Sequence, residues 1–273
     1  MRALRVAVSA GVVLLVSGLL LAALIWATTP RATPGQLLVP SKTPFTRGPY
    51  FVFAQPWGGE TMTLTRSFVR FADATLIDLK AFPRETVMRW RWPPMAPSNG
   101  PGVWGYDQIG YGNYDGGEPE RTVPPIRVKS VTALRQRFRW SLSNRFGDGN
   151  VLTEFYLRSS PTDVEAKTLE IGWFLHAPES TRGFFESSKL VGTYQDEQGR
   201  RWTVRISDKF CMFAPERPGD IASGSLDMLA ALRWLMEKRL VTGEEYLWGL
   251  AIGVEPVRGL GRFMLHDWQV ERR

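Results

Sequence analysis

Three glutamates stand where a strand pattern aims them at one surface. In Thr168-Leu169-Glu170-Ile171-Gly172-Trp173-Phe174-Leu175, the apolar residues Leu169, Ile171, Trp173 and Leu175 alternate with Thr168, Glu170, Gly172 and Phe174. Successive strand side chains point to opposite faces, so one set reads as a core face and the other as an open one. Residues 250–256 repeat the arrangement, with Leu250, Ile252 and Val254 inward and Ala251, Gly253 and Glu255 outward. Asn150, Leu152, Glu154 and Tyr156 share a face in the same way. Two carboxyls meeting across a cleft can cleave a glycosidic bond: one protonates the leaving oxygen while the other attacks or activates water. Alternation alone favours a solvated strand glutamate.

The elements that must position them are strands. From Gly48 onward the chain consists of short runs punctuated by Gly, Pro, Asn and Asp, the pattern of an all-β sandwich or barrel. Strands are expected at 50–54, 63–71, 87–92, 126–131, 136–142, 151–158, 168–176, 203–207, 209–214, 250–255 and 262–270. One segment departs from that rhythm. Residues 225–240 carry Leu226, Leu229, Leu232, Met236 and Leu240 at steps of three and four, which predicts one amphipathic helix. Ser223 or Ser225 is placed to cap its start, and Gly243 follows its end.

Ahead of the β-rich part, residues 6–27 form an uncharged, mostly apolar run behind Arg2 and Arg5. Its 22 residues exceed a signal-peptide core of roughly 7–15 and match a spanning helix of about 20. Residues 1–27 therefore read as a signal-anchor, or as a signal peptide if cleaved, and 28–47, rich in Pro and Thr, as a linker. Residues 48–273 are the expected domain.

Composition excludes several classes. The formal charge is +7, three of it from Arg2, Arg5 and Arg31, and the rest is spread without basic runs, so no nucleic-acid partner is expected. One cysteine, Cys211, among Phe210, Met212 and Phe213, allows no intrachain disulfide and reads as a buried thiol. With His176 and His266 far apart, no metal centre and no cofactor are expected; calcium held by carboxylates stays open. Eleven tryptophans serve either as core or as flat platforms for sugar rings.

The segment Gly253-Val254-Glu255-Pro256-Val257-Arg258-Gly259-Leu260-Gly261 resembles the C-terminal signature of glycoside hydrolase family 12, Gly-x-Glu-Pro followed by a glycine and a final strand. Leu169-Glu170-Ile171-Gly172-Trp173-Phe174-Leu175 is similar to the family's nucleophile strand, Glu-Ile-Met-Ile-Trp-Leu. Asn150-Val151-Leu152-Thr153-Glu154 resembles its Asn-Val-Ala-Tyr-Asp, and Trp57-Gly58 its early Asn-Asn-x-Trp-Gly. Ser223-Gly224-Ser225-Leu226-Asp227 resembles the approach to its lone helix. The segment from Trp104 and Tyr106 to Ile109-Gly110-Tyr111-Gly112 is similar to its Tyr-Pro-x-Ile stretch.

The resemblance implies a β-jelly roll of two antiparallel sheets with one packed helix, joined here to an N-terminal transmembrane helix. It implies Glu170 as nucleophile and Glu255 as acid/base, with Glu154 and Asn150 in support. Trp57, Trp104, Tyr106 and Phe174 become sugar contacts, with Trp90 and Trp92 as further platforms. The departures are specific. Ala54-Gln55-Pro56 replaces the paired asparagines, Gly172 and Phe174 replace Met and Trp in a way expected to widen the cleft floor, and Glu154 replaces Asp. Residues 178–191 contain no counterpart of the family's Pro-Ile-Gly cord loop.

The expected function is retaining, endo-acting hydrolysis of a β-1,4-linked glucan by a monomer. The expected location is the cell membrane, attached through residues 6–27 with the domain facing outward, or the exterior if the segment is cleaved. The alternative is a non-catalytic carbohydrate-binding protein on the same scaffold; a tethered structural protein is a third reading.

Overall fold

A computed structural model of the chain describes residues 2–59, 72–98, 102–115, 123–143 and 146–273. The N-terminal helix Arg2–Thr28 leads into strands β1 (Gln36–Pro40), β2 (Phe45–Arg47), β3 (Tyr50–Gln55), β4 (Ala72–Asp78), β5 (Thr86–Arg91) and β6 (Tyr106–Gly112). Next come β7 (Ile126–Arg127), β8 (Leu134–Ser143), β9 (Asp148–Arg158), β10 (Lys167–His176) and a helix, Glu179–Ser187. The chain continues through β11 (Lys189–Gln195), β12 (Arg201–Ser207), β13 (Phe210–Pro215) and β14 (Ser223–Asp227) to a third helix, Met228–Glu237. It closes with β15 (Tyr246–Leu247), β16 (Gly249–Arg258) and β17 (Leu260–Arg272).

These strands form two sheets. The smaller runs β1-β4-β5-β17-β8-β14, and the larger β11-β12-β13-β10-β9-β16-β6-β3-β2, with β15 and β7 attached beside β9. Pairing is antiparallel except at β10–β13, which run parallel. The core lies between the sheets and follows the alternation of the sequence. Leu169, Ile171, Trp173 and Leu175 on β10, and Leu250, Ile252 and Val254 on β16, are buried against Met88, Phe138, Trp140, Phe263 and Trp268 of the smaller sheet. Trp173 stacks on Phe213 with ring centroids 4.7 Å apart. Filling a sandwich with large aromatics buries much apolar area per residue, the dominant favourable contribution to folding.

Four expectations change. Residues 28–47 are not an unstructured linker throughout, because 36–40 and 45–47 join the two sheets as β1 and β2. The strand expected at 126–131 is a two-residue strand followed by a 3₁₀ turn, Val128–Ser130. The amphipathic helix starts at Met228 rather than Ser225, because residues 223–227 pair with β8; Asp227, not a serine, caps it by accepting from the Ala230 amide at 3.0 Å. A second helix in the β-rich part, Glu179–Ser187, has no counterpart in the expectations. The strand expected at 63–71 lies outside the described residues. Burial pushes the thiol of Cys211 up to about 12, in keeping with an inert side chain.

Candidate active site

β9 lies between β10 and β16 in the larger sheet, and all three present their glutamates on the face turned away from the core. The register makes this explicit. Glu170 is opposite Tyr156, Glu154 is opposite both Gly172 and Ala251, and Glu255 is opposite Asn150. Cross-strand partners share a face, so Glu170, Tyr156, Glu154, Leu152, Asn150 and Glu255 all stand on one surface. No register shift falls between Leu169 and Phe174 or between Ala251 and Pro256, which preserves that alignment.

Each carboxyl has its own hydrogen-bond setting. Asn150 Nδ2 donates to Glu255 Oε2 at 2.8 Å, and Thr181 Oγ1 donates to Asn150 Oδ1 at 2.7 Å. The Tyr114 hydroxyl donates to Glu154 Oε1. Glu170 is hydrogen-bonded by Tyr156 and Glu154. Behind them, the fully buried Arg158 donates from Nη2 to the Tyr114 carbonyl at 3.1 Å, and Lys167 Nζ lies 4.2 Å from the centre of the Tyr156 ring.

Burial governs the electrostatics. It raises Glu255 to about 7; the Asn150 hydrogen bond opposes this and the charge of Glu170 adds to it. Burial likewise raises Glu170 to about 7, against the hydrogen bonds from Tyr156 and Glu154 that favour its ionised form. Glu154 is pushed well above the usual carboxylate range, first by burial and then by the charges of Glu170 and Glu255. Crowded carboxyls cannot all ionise together, so the cluster retains protons near neutrality. Glu154 as the protonated donor to Glu170 matches the signs on both residues, raising the first and lowering the second.

The remaining expected site residues divide. Trp57 sits on the 3₁₀ turn Trp57–Gly59 and is 36% exposed, accessible enough to meet a ligand. Tyr106 is on the carboxylate face, where Glu154, Glu255 and Glu170 all disfavour its ionisation after burial has done so most. Four expected platforms need correction: Trp104, Trp92, Trp90 and Phe174. Trp104 lies in the core between the sheets, stacked on Trp92 at 5.1 Å and 6°, and Trp90 is buried there too. Phe174 does face the carboxylate side, but the ring of Phe185 meets it edge-on at 4.5 Å and leaves it 2% exposed. The floor is not widened at Gly172 either. A Cβ there would come within 2.9 Å of the Phe210 ring, so Phe210 occupies the space the missing side chain leaves.

Sequence reasoning missed Tyr114, Thr181 and Phe210 as neighbours of the carboxyls. Tyr156 was visible on the face of Glu154, whereas Tyr114 and Thr181 reach the site from outside the three strands that carry the glutamates. No local periodicity reports such contacts.

No protein-family model and no curated protein matches the sequence. Solved structures do match. Trichoderma harzianum endoglucanase 3 from family GH12 superposes with a TM-score of 0.65 at 16% identity, covering 89% of this chain and 100% of that one. The catalytic domain of Humicola grisea Cel12A, solved with a soaked thio cellotetraose, gives a TM-score of 0.68 at 16% identity, with 88% and 100% covered. A native family 12 xyloglucanase from Bacillus licheniformis gives 0.66 at 18% identity, with 87% and 100% covered. The two sheets thus form a β-jelly roll, the fold of these family 12 structures.

Proposed function

We propose that this protein is a glycoside hydrolase that cleaves β-1,4-linked glucan with retention of configuration, held at a membrane by residues 6–27 with its domain outside. The observation that carries the reading is the placement of Glu170 and Glu255 on either side of β9, on one face of one sheet, with Glu154 between them. The structural likeness to endoglucanases and a xyloglucanase supports the same class of substrate.

In this reading the Glu170 carboxylate attacks the anomeric carbon while protonated Glu255 gives its proton to the departing oxygen. Glu255 then takes a proton from the water that releases the glycosyl-enzyme. Burial supports the acid role by holding Glu255 up to about 7, and the hydrogen bonds from Tyr156 and Glu154 work against burial to favour the charged Glu170. Of the expected sugar contacts Trp57 is retained, whereas Tyr106, 3% exposed, is as covered as Phe174. The chain acts as a monomer and needs no cofactor.

The test uses the full chain in detergent against soluble β-1,4-glucan, mixed-linkage glucan and xyloglucan. Glu170→Gln and Glu255→Gln each lower kcat by about three or more orders of magnitude, the scale of losing a nucleophile or a proton donor. Azide restores cleavage to Glu170→Ala, and NMR of the first product shows the retained anomer. Turnover that survives both Gln changes ends the proposal. Saturable glucan binding without turnover in the unaltered chain favours the non-catalytic carbohydrate-binding alternative.

A further inference from the structure

The outer face of the smaller sheet carries a feature that the carboxylate chemistry does not use. Arg89 on β5 and Arg262 on β17 are direct cross-strand partners, and Ser143 on β8 is opposite Arg262 on its other side. Their neighbours Met88, Trp90 and Phe263 are buried in the core, so these three polar side chains belong to the outward face. They line a cavity of about 550 Å³, whose opposite wall is the end of the N-terminal helix, through Leu24, Ala27 and Thr28.

This is an unusual place for two cations. The Nε atoms of Arg89 and Arg262 are both buried with no hydrogen-bond partner, and among the described residues neither guanidinium is paired with a carboxylate. Burial, and then the charge of Arg262, pull Arg89 below its usual value. Like charges directly opposite one another in a sheet are destabilising, and a buried donor without an acceptor costs more. An anion with several oxygens relieves both at once, and guanidinium forks fit phosphate.

The cavity's position selects among anions. Arg91, two residues along β5, donates from Nη1 to the Ile25 carbonyl at 3.1 Å and to Thr28 Oγ1 at 2.7 Å, which holds the helix end beside the cavity. The stretch Gly11–Thr28 has a mean hydropathy of 2.3 and none of it is buried in the protein. A helix of that length and character ends where a bilayer's headgroups begin. The polar side of the cavity then lies at phosphate level, and its apolar wall, Leu24 and Ala27, continues toward the hydrocarbon.

We propose that the cavity between Arg89, Arg262 and the end of the N-terminal helix binds the phosphate of an anionic phospholipid, whose acyl end lies along the helix. The inference rests on the reading above that the helix is kept as an anchor. It also orients the molecule: the smaller sheet faces the bilayer, and the glutamate-bearing face of the larger sheet points away from it.

The full chain in a zwitterionic detergent, its intact N-terminus checked by mass, is titrated calorimetrically with short-chain phosphatidylglycerol, short-chain phosphatidylcholine and inorganic phosphate. Phosphatidylglycerol binds saturably and raises Tm, while the other two bind about tenfold or more weakly. Arg89→Gln with Arg262→Gln loses about tenfold or more in affinity for phosphatidylglycerol. Without lipid that variant melts no lower than the unaltered chain, because it has lost a repulsion. Arg137→Gln, exposed on the same sheet face, binds as before. Unchanged binding in the double variant, or an equal loss in Arg137→Gln, overturns the site. Inorganic phosphate binding as tightly as the lipid overturns the lipid assignment. A chain recovered without its first 27 residues reports failure of the anchor reading separately, by mass alone.

Discussion

Glu154 is where the chemistry of single residues is most tightly coupled. It is 3% exposed, accepts from Tyr114, and hydrogen-bonds Glu170, whose ionised form that bond favours. Removing the donor makes the Glu170 carboxylate harder to form. Glu154→Ala therefore moves the acid limb of kcat/KM upward by about one pH unit, the worth of one hydrogen bond to a charged group. Glu154→Gln keeps a donor and moves it less; a limb that stays put in Glu154→Ala refutes the coupling. Most of this face was legible from residue types, since Glu154, Glu170, Glu255, Asn150 and Tyr156 have the right parity for it. Phe174 was misjudged because parity says which way a side chain points, not what covers it, and Phe185 covers it. Trp104, expected from the resemblance, instead lies in the core stacked on Trp92.

Among the elements, the helix Glu179–Ser187 alters the site most. It seats Phe185 on Phe174 and sets Thr181 against Asn150, so a segment outside the sheets fixes the amide that donates to Glu255. With Thr181 donating to Oδ1, Asn150 keeps its Nδ2 toward the carboxyl. Thr181→Val frees the amide to turn its oxygen there instead, which favours protonated Glu255 and shifts the alkaline limb of the pH–rate profile to higher pH. Thr181→Ser restores the original limb; equal profiles for Val and Ser remove Thr181 from the relay. The helix escaped sequence analysis because it is nine residues long, contains Gly183, has no side-chain cap and buries only Phe185, too little for a period to appear. The helix Met228–Glu237, which buries Met228, Leu229, Ala231, Leu232 and Leu235, announced itself by spacing. Its start was displaced because Ser223–Asp227 gains a partner strand, β8, that no local signal reveals.

Across the whole molecule, buried carboxyls tie stability to pH. Glu170 and Glu255 titrate at about 7 in the folded chain against 4.5 for an ordinary glutamate. Asp107, fully buried in the core beside Asp73, is also raised, by burial first and by the Asp73 charge second. With folded values above unfolded ones, the folded state binds more protons in the window from 4.5 to about 7. Stability is therefore fullest below that window and falls as pH rises through it. The Tm of the full chain drops between pH 5 and pH 8, and the Glu170→Gln, Glu255→Gln double variant shows a smaller drop; a Tm that rises over that range contradicts the assignment of these shifts.

The amino-acid sequence by itself determined the all-β class, the apolar N-terminal helix, the inward and outward sets on each major strand, and the face on which the glutamates stand. Those properties follow from periods of two and 3.6 residues, which are local. Tertiary structure alone decided that β9 separates β10 from β16, that Phe210 fills the space above Gly172, and that residues 36–40 and 45–47 belong to the sheets. It also decided that Arg89 meets Arg262. Each of these joins residues far apart in the chain, and such pairings depend on which strands become neighbours when the sandwich closes.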